Sequence, residues 1–410
     1  SEAEAADELE ALLRDAVSHQ MVADVPVGAF LSGGVDSSAI VALMQAQSTR
    51  PVRTFTLGFE ESGYDEAEHA RAVAEHLGTD HTELYVTPGE ARDVIPLLPA
   101  LYDEPFADGS QIPTFLVARL ARRDVTVSLS GDGGDELFGG YNRYFLGRRI
   151  WNGIRWIPRP LRGSAGGLLS TVSPGAWERI GSRSRQPQLA DRAQKVVEVL
   201  GAANPDAIYR RLVSRWADPT SIVRGAVEPP TPVTDSSGWP ELEDFTERMM
   251  YLDTITYLPE DILTKVDRAA MGVSLETRVP FLDHRVVELA WRLPLAMKVR
   301  AGRGKQVLRR VLYRHVPRDL IERPKVGFAP PIHRWLRGPL RDWAEDLLDE
   351  RRLEEEGFLR AAPIRALWRQ HLSGERNAQD PLWCVLMFQA YLRATSRGDG
   401  RAPESGRVAA

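Results

Sequence analysis

Apolar residues recur at helical spacing through the opening segment, residues 1–24, with Leu9, Leu12, Leu13 and Val17 on one face. This spacing predicts an amphipathic helix. The next stretch, "VPVGAFLS" (25–32), has the short apolar pattern of a buried strand; a glycine turn and a helix beginning near Asp36 follow. "VRTFTLGF" (52–59) is rich in β-formers and predicts a second strand. "DEAEHARAVAEHLG" (65–78) predicts a helix with Ala67, Ala70, Ala74 and Leu77 on one face and Gly78 as its stop signal. "HTELYV" (81–86) reads as a third strand, "IPTFLVARLARR" (112–123) as a helix and "VTVSLSG" (125–131) as a fourth strand. Strands alternating with helices at this spacing predict an α/β fold, a doubly wound parallel sheet with helices on both faces.

The character changes after about residue 145. Residues 151–240 carry prolines, glycines and arginines with little strand patterning and read as helices joined by irregular loops, with "PPTPVTDSSGWP" (229–240) the clearest loop. From 241 the pattern is mostly helical, with breaks expected at Pro259, Pro280, Pro294, Pro317 and the "FAPP" turn. The division is therefore a nucleotide-binding core over 1–150, an insertion over 151–240, a helical remainder over 241–394 and a disordered tail over 395–410.

Composition narrows the function classes. The 410 residues are 43% apolar and 27% charged, ordinary for a soluble globular protein. A net charge of −5 gives no general drive towards nucleic acid or an anionic membrane, and Arg148, Arg149, Arg155, Arg159 and Arg162 lack an interleaved aromatic platform. The single cysteine, Cys384, excludes an internal disulfide and a cysteine-rich metal site; its apolar, helically spaced surroundings predict a buried structural thiol. No run of about eighteen apolar residues and no signal peptide is present, so the expected location is the cytoplasm. The start at Ser1 leaves room for a longer parent protein.

Two glycine-rich turns carry the candidate chemistry, and each follows a predicted strand: "SGGVDSS" (32–38) and "SGDGGDE" (130–136). In doubly wound sheets ligands bind at the carboxyl ends of the strands, so both turns are expected at one crevice. The first offers free backbone N–H groups at a helix N-terminus, a site that favours anions, with Ser32, Ser37 and Ser38 as further donors. Gly33 and Gly34 are expected to let the backbone approach phosphate oxygens closely. Asp36 would repel a phosphate chain unless a cation lies between; Mg²⁺ held by carboxylates and phosphate oxygens resolves the conflict, with Asp132 and Asp135 as further contributors. The bland alternative for either turn is a helix cap. No GxxxxGK[ST] motif occurs, so transfer of a terminal phosphate is not the expected reaction; a loop holding the whole pyrophosphate suits attack at the α-phosphate.

"SGGVDSS" resembles the pyrophosphate loop of the N-type ATP pyrophosphatases. "FLSGGVDSSAIVALM", "TFTLGF", "LSGDGGDELFGGY", "ILTKVDRAAMGVSLETRVPFLD" and "KQVLRR", in this order, resemble the synthetase domain of the glutamine-dependent asparagine synthetases over roughly residues 5–392. The resemblance implies activation of the aspartate side chain by ATP and Mg²⁺ as an acyl-adenylate, release of pyrophosphate, and attack by ammonia. It implies that Ser32, Gly33, Gly34, Asp36, Ser37 and Ser38 hold the pyrophosphate and that Asp36 and Asp135 hold Mg²⁺. The backbones of Leu31, Leu57 and Gly131 would hold the adenosine, with Ser130 against it. Family members that make asparagine often carry Glu at the position of Asp132, here assigned a catalytic role; the shorter acid leaves the acceptor open. Asp103, Ser110 and Gln111 fall in a segment where substrate contacts are expected, and Glu136 joins that group.

Other residues have two readings each. Lys305 either stabilises charge at the α-phosphate or is a solvated lysine at a helix start. Glu276 and Arg278 precede a proline, at an element end: Glu276 is a catalytic candidate, and Arg278 forks either to a substrate carboxylate or to Glu276. Lys325 is a candidate pyrophosphate contact, and Asp261, Lys265, Asp267 and Arg268 form either site groups or a structural charge network. No residue here can act as the nucleophilic cysteine of a glutaminase domain, so a separate domain or partner, or free ammonia, is the expected nitrogen source; a homodimer is also expected. Alternatives in the same class are amidation or cyclisation of another carboxylate. A tRNA-modifying relative and a non-catalytic nucleotide-binding module lie outside it.

Overall fold

A computed structural model describes residues 1–59, 67–158, 161–162, 199–322 and 330–396. Helix α1 (Glu2–Gln20) opens with a capping box in which the Glu4 amide donates to Ser1 Oγ, and it buries Leu9, Leu13 and Val17 as its periodicity predicts, with Leu12 half-buried. Strand β1 (Val27–Phe30), helix α2 (Val35–Gln45), strand β2 (Arg53–Phe59), helix α3 (Ala67–Leu77) and strand β3 (Asp80–Val86) follow. Helix α4 (Gln111–Ala121) leads into β4 (Val127–Leu129), and α5 (Gly134–Phe138) and α6 (Asn142–Ile154) leave it.

The sheet has the order β3-β2-β1-β4-β5, and every pairing in it is parallel. Its edge strand β5 (Glu276–Arg278) was not anticipated. Three residues are too few for a period to appear, and only pairing with β4 (Val127 beside Glu276, Leu129 beside Arg278) makes them a strand. The chain builds β1 to β3 outward in one direction, then returns to add β4 and β5 on the other side of β1. The strand order thus reverses between β1 and β4, which sets the crevice at their carboxyl ends. Apolar layers cover both faces: Leu9, Ile40, Leu43, Val286 and Leu308 belong to one, and Phe55, Leu116, Trp368 and Trp383 to the other.

One expected break is absent. Helix α7 (Phe245–Leu252) runs on through a π-helical stretch, Asp253–Leu263, into α8 (Thr264–Met271), with Pro259 inside. The wider turn accommodates a residue without an N–H. Hydroxyls take up carbonyls there: Thr254 Oγ1 donates to Met250 at 2.8 Å, and Thr264 Oγ1 donates to the Pro259 carbonyl at 2.9 Å. Pro280, Pro294 and Pro317 do interrupt helical structure, and Pro330–Pro331 precede the helix Ile332–Arg337. Helix α9 (Gln306–Leu312), α10 (Ala361–Ser373) and α11 (Gln379–Ser396) complete the set used below. Helix α11 includes Thr395 and Ser396, where the tail was expected to begin; residues 397–410 lie outside the described residues. Cys384 sits partly buried in α11, and burial pushes its thiol up to about 11, as expected of a structural thiol. No helix among the described residues is long and apolar enough to cross a membrane.

Candidate functional site

β1 ends at Phe30, and the Leu31 amide donates to the Phe55 carbonyl at 2.9 Å, a last tie before the chain turns away. Gly33 takes φ 69°, and a Cβ there would lie 2.8 Å from the His69 carbonyl carbon. This revises the expected reason for that glycine: the protein's own α3 backbone crowds it. Gly34, extended, caps α2, and a Cβ on it would meet Ser32 Oγ at 3.2 Å. The hydroxyls brace the turn, with Ser32 Oγ and Ser37 Oγ 3.0 Å apart and the Ser32 amide donating to Ser37 Oγ. Ser38 is fully buried in the first turn of α2, and its Oγ has no hydrogen-bond partner among the described residues.

The second turn leaves β4 at Leu129. The Ser130 amide donates to the Arg278 carbonyl at 2.9 Å, and Ser130 Oγ donates to Asp132 Oδ2 at 2.7 Å. Gly133, at φ 86°, starts α5, which carries Asp135 and Glu136. The two turns are in direct contact. A Cβ on Gly131 would lie 2.9 Å from the Asp36 carbonyl carbon, and one on Gly134 would lie 2.5 Å from Asp36 Oδ1.

Lys305 closes the arrangement. It caps α9 in a left-handed conformation, φ 62°, held by its amide donating to the Phe138 carbonyl at 2.8 Å. Its buried Nζ contacts the Asp36 carboxylate and lies 2.7 Å from Asp135 Oδ1. Burial opposes the charged ammonium, yet Asp135 and Asp36 outweigh it and hold the Lys305 pKa above its ordinary value. The reading of a solvated lysine is therefore overturned. Two carboxylates from separate strand tips already converge on one cation, and their hard oxygen donors fit Mg²⁺ as well as they fit an ammonium. Leu57 of β2 pairs with Leu84 and lies beyond the last β1 partner, Phe55, so its backbone borders the crevice.

A polar wall extends from Asp135 that the sequence did not expose. Tyr141 donates to Glu136 Oε1 at 2.6 Å, and burial, together with Asp135, pushes Glu136 up to about 7. Arg143 stacks 4.0 Å from the centre of the Tyr141 ring and 4.5 Å from that of Tyr257, and its Nε donates to buried Asp253 at 2.8 Å. Farther along stand Asp261, Lys265 and Asp108, the last of these missed although it lies inside the segment chosen for substrate contacts. A signal was present: Asp253, Tyr257, Asp261 and Lys265 recur every fourth residue. Asp267 and Arg268 are exposed, away from this row.

Several candidates stand elsewhere. Arg278 donates to Glu276 at 2.7 Å and to the Gln20 and Val22 carbonyls at 2.7 and 2.8 Å, so the fork goes to Glu276 and ties down the C-terminus of α1. Asp103 is exposed at the end of a short helix. Gln111 is fully buried, with its Nε2 donating to the Phe106 carbonyl, and the Ser110 amide donates to Asp108 Oδ1 at 2.9 Å. These contacts give Gln111, Glu276 and Arg278 structural surroundings; Arg278 meets the second turn through its backbone carbonyl, and none of these side-chain bonds reaches either turn. Lys325 lies outside the described residues.

Residues 8–393 match the family described as asparagine synthase. The chain belongs to this family. Among the asparagine synthase relatives, a Mycobacterium tuberculosis protein whose name carries the words asparagine synthetase (glutamine-hydrolyzing) is 38% identical over 400 residues, covering 94% of this chain. Asparagine synthetase (glutamine-hydrolyzing) 1 of Bacillus subtilis is 31% identical over 392 residues, covering 92%. The fungal protein Amidase chyE of Penicillium rubens is 27% identical over 401 residues, covering 85% of this chain and 55% of its own length. The chain spans 57% of the length of the two bacterial relatives.

Proposed function

We propose that the chain is an ATP-dependent, AMP-forming amide ligase that activates a carboxylate, with aspartate the leading acceptor and asparagine the product. The observation that carries this reading is the convergence of Asp36 and Asp135, from two strand tips, on one buried cation. In this reading the N-terminus of α2 with Ser32, Ser37 and Ser38 binds the pyrophosphate portion of ATP. Asp36 and Asp135 would hold Mg²⁺, which supplies charge neutralisation between the carboxylates and the phosphates. Lys305 moves its charge onto phosphate oxygens and stabilises the negative charge that builds at the α-phosphorus. An acceptor carboxylate oxygen bonds to that phosphorus as the bond to pyrophosphate breaks. Ammonia then attacks the acyl carbon, loses a proton, and AMP leaves. The names of the longer relatives support a glutaminase domain or partner as the nitrogen source, with free ammonia an alternative for this chain.

A second reading keeps the chemistry and changes the acceptor. Asp132, shorter than glutamate and tied to Ser130 at 2.7 Å, favours a differently shaped carboxylate. Incubation with ATP, Mg²⁺, ammonia and aspartate, set against a panel of other carboxylates, decides between the two. Acceptor-dependent AMP and pyrophosphate are expected; acceptor-dependent ADP would overturn both readings.

A further inference from the structure

The proposed chemistry at the two turns leaves one group of buried charges unused. Lys265 Nζ lies 2.9 Å from Asp108 Oδ2 and 3.9 Å from Asp261 Oδ1, and the three side chains are 9%, 13% and 25% exposed. One lysine and one aspartate would complete a structural ion pair, and here a second acid has been added. Its Oδ1 is buried and accepts no hydrogen bond from any described residue. Burial, then Asp108 beside it, pushes the Asp261 carboxyl above the usual carboxylate range. Three residues after Asp108, fully buried Gln111 also keeps an acceptor, Oε1, without a partner among the described residues.

Topology fixes which side of the sheet this group occupies. Helix α4 descends to the start of β4, and α8 descends to the start of β5, so both helices begin at the carboxyl ends of the parallel strands. Asp108 precedes α4, while Asp261 and Lys265 flank the start of α8. They share that end of the sheet with the turns at 31–36 and 130–136. Tyr257, one π-helical turn before Asp261, packs its ring 5.7 Å from Tyr141, whose hydroxyl reaches Glu136 beside Asp135. The wall is continuous from the cation position to Asp261.

We propose that Asp261, backed by Asp108 and Lys265, is the specificity end of the acceptor site and receives an ammonium group of the acceptor. An ammonium supplies hydrogen-bond donors that Asp261 Oδ1 lacks and adds to the positive charge of Lys265, 3.9 Å away. The inference rests on the ligase reading above and narrows the acceptor to a carboxylate that carries an amine, positioned along the Tyr257–Tyr141 wall. A site built around a substrate hydrogen bond rejects an analogue without it, because the buried partner is left bare.

The test is acceptor-dependent exchange of labelled pyrophosphate into ATP by the full chain, with aspartate and with succinate, which is aspartate without the amine. The wild-type chain is expected to prefer aspartate by about a hundredfold or more in kcat/KM. Asp261→Asn is expected to cut that preference about tenfold or more, through KM for aspartate, with KM for ATP unmoved. Asp261→Glu, which keeps the charge but displaces the carboxylate, should lower the preference less than Asn does, and this smaller loss is the readout if the Asn variant fails to fold. Equal use of both acceptors by the wild type overturns the inference, and so does a variant whose exchange survives with an unchanged preference. A wild-type chain with no acceptor-dependent exchange overturns the ligase reading, and this one with it.

Discussion

A Cβ on Gly131 would sit 2.7 Å from the amide nitrogen of Ser37, so the two glycine-rich turns meet backbone to backbone. The distance between the Asp36 and Asp135 carboxylates is therefore set by main-chain packing, which leaves no room for a side chain between the turns.

Gly131→Ala should force the turns apart. The overpacking is expected to cost about 1–3 kcal/mol, read as a lower midpoint in urea unfolding. KM for ATP should rise more than KM for the acceptor. A variant with wild-type stability and kinetics would show that the turns separate freely.

Asp36→Asn and Asp135→Asn each remove one carboxylate from the shared cation. AMP formation should fall at least about a hundredfold, in proportion to lost charge stabilisation. Excess Mg²⁺ should rescue neither variant fully. Unchanged pyrophosphate release in Asp36→Asn would sink the metal assignment.

Lys305→Met leaves two buried acids facing each other without a cation. The variant should lose about 10²–10³ in kcat, the scale of one removed charge-stabilising donor. It should also be less stable without nucleotide than with Mg²⁺ and ATP, measured as a ligand-dependent shift in Tm.

Arg278→Ala tests an assignment that the structure redirects. Loss of its bonds to the Gln20 and Val22 carbonyls should destabilise the fold by about 2 kcal/mol in urea titration. KM for ATP and for the acceptor should stay within twofold or so. A selective rise in acceptor KM would return Arg278 to the substrate.

His371 gives the stability a pH dependence. It is fully buried in α10, its Nδ1 accepts from the Ala378 amide at 3.2 Å, and burial, then the Arg337 guanidinium, lowers its pKa from 6.5 to about 4. Between those values the unfolded chain binds the proton and the folded one does not, so this contribution is full above pH 6.5 and is lost as the pH falls towards 4. His371→Asn, which can keep the accepting atom, should flatten that part of a Tm-versus-pH curve.

The first four strands and their helices were legible because each segment is long enough for its apolar period to report which face is buried. Both glycine turns were legible as well, since each combines a strand end, residues free of Cβ clashes and an acid. Pro259 misled because proline ends an ordinary helix, and here a wider π turn admits it. Glu276 and Arg278 looked like site residues because they precede a proline. Their partners, each other and the end of α1, exist only once β5 joins the sheet.

By itself, the sequence determined the alternating strands and helices, the two glycine-rich turns and the acids within them, because those features depend on neighbours a few residues away. Tertiary structure alone decided that Lys305 bridges an acid 269 residues distant and that Asp108 meets a lysine 157 residues distant. A local period records which side of an element is apolar; it carries no record of which charged groups the crossing of the chain will bring within one ionic radius of each other.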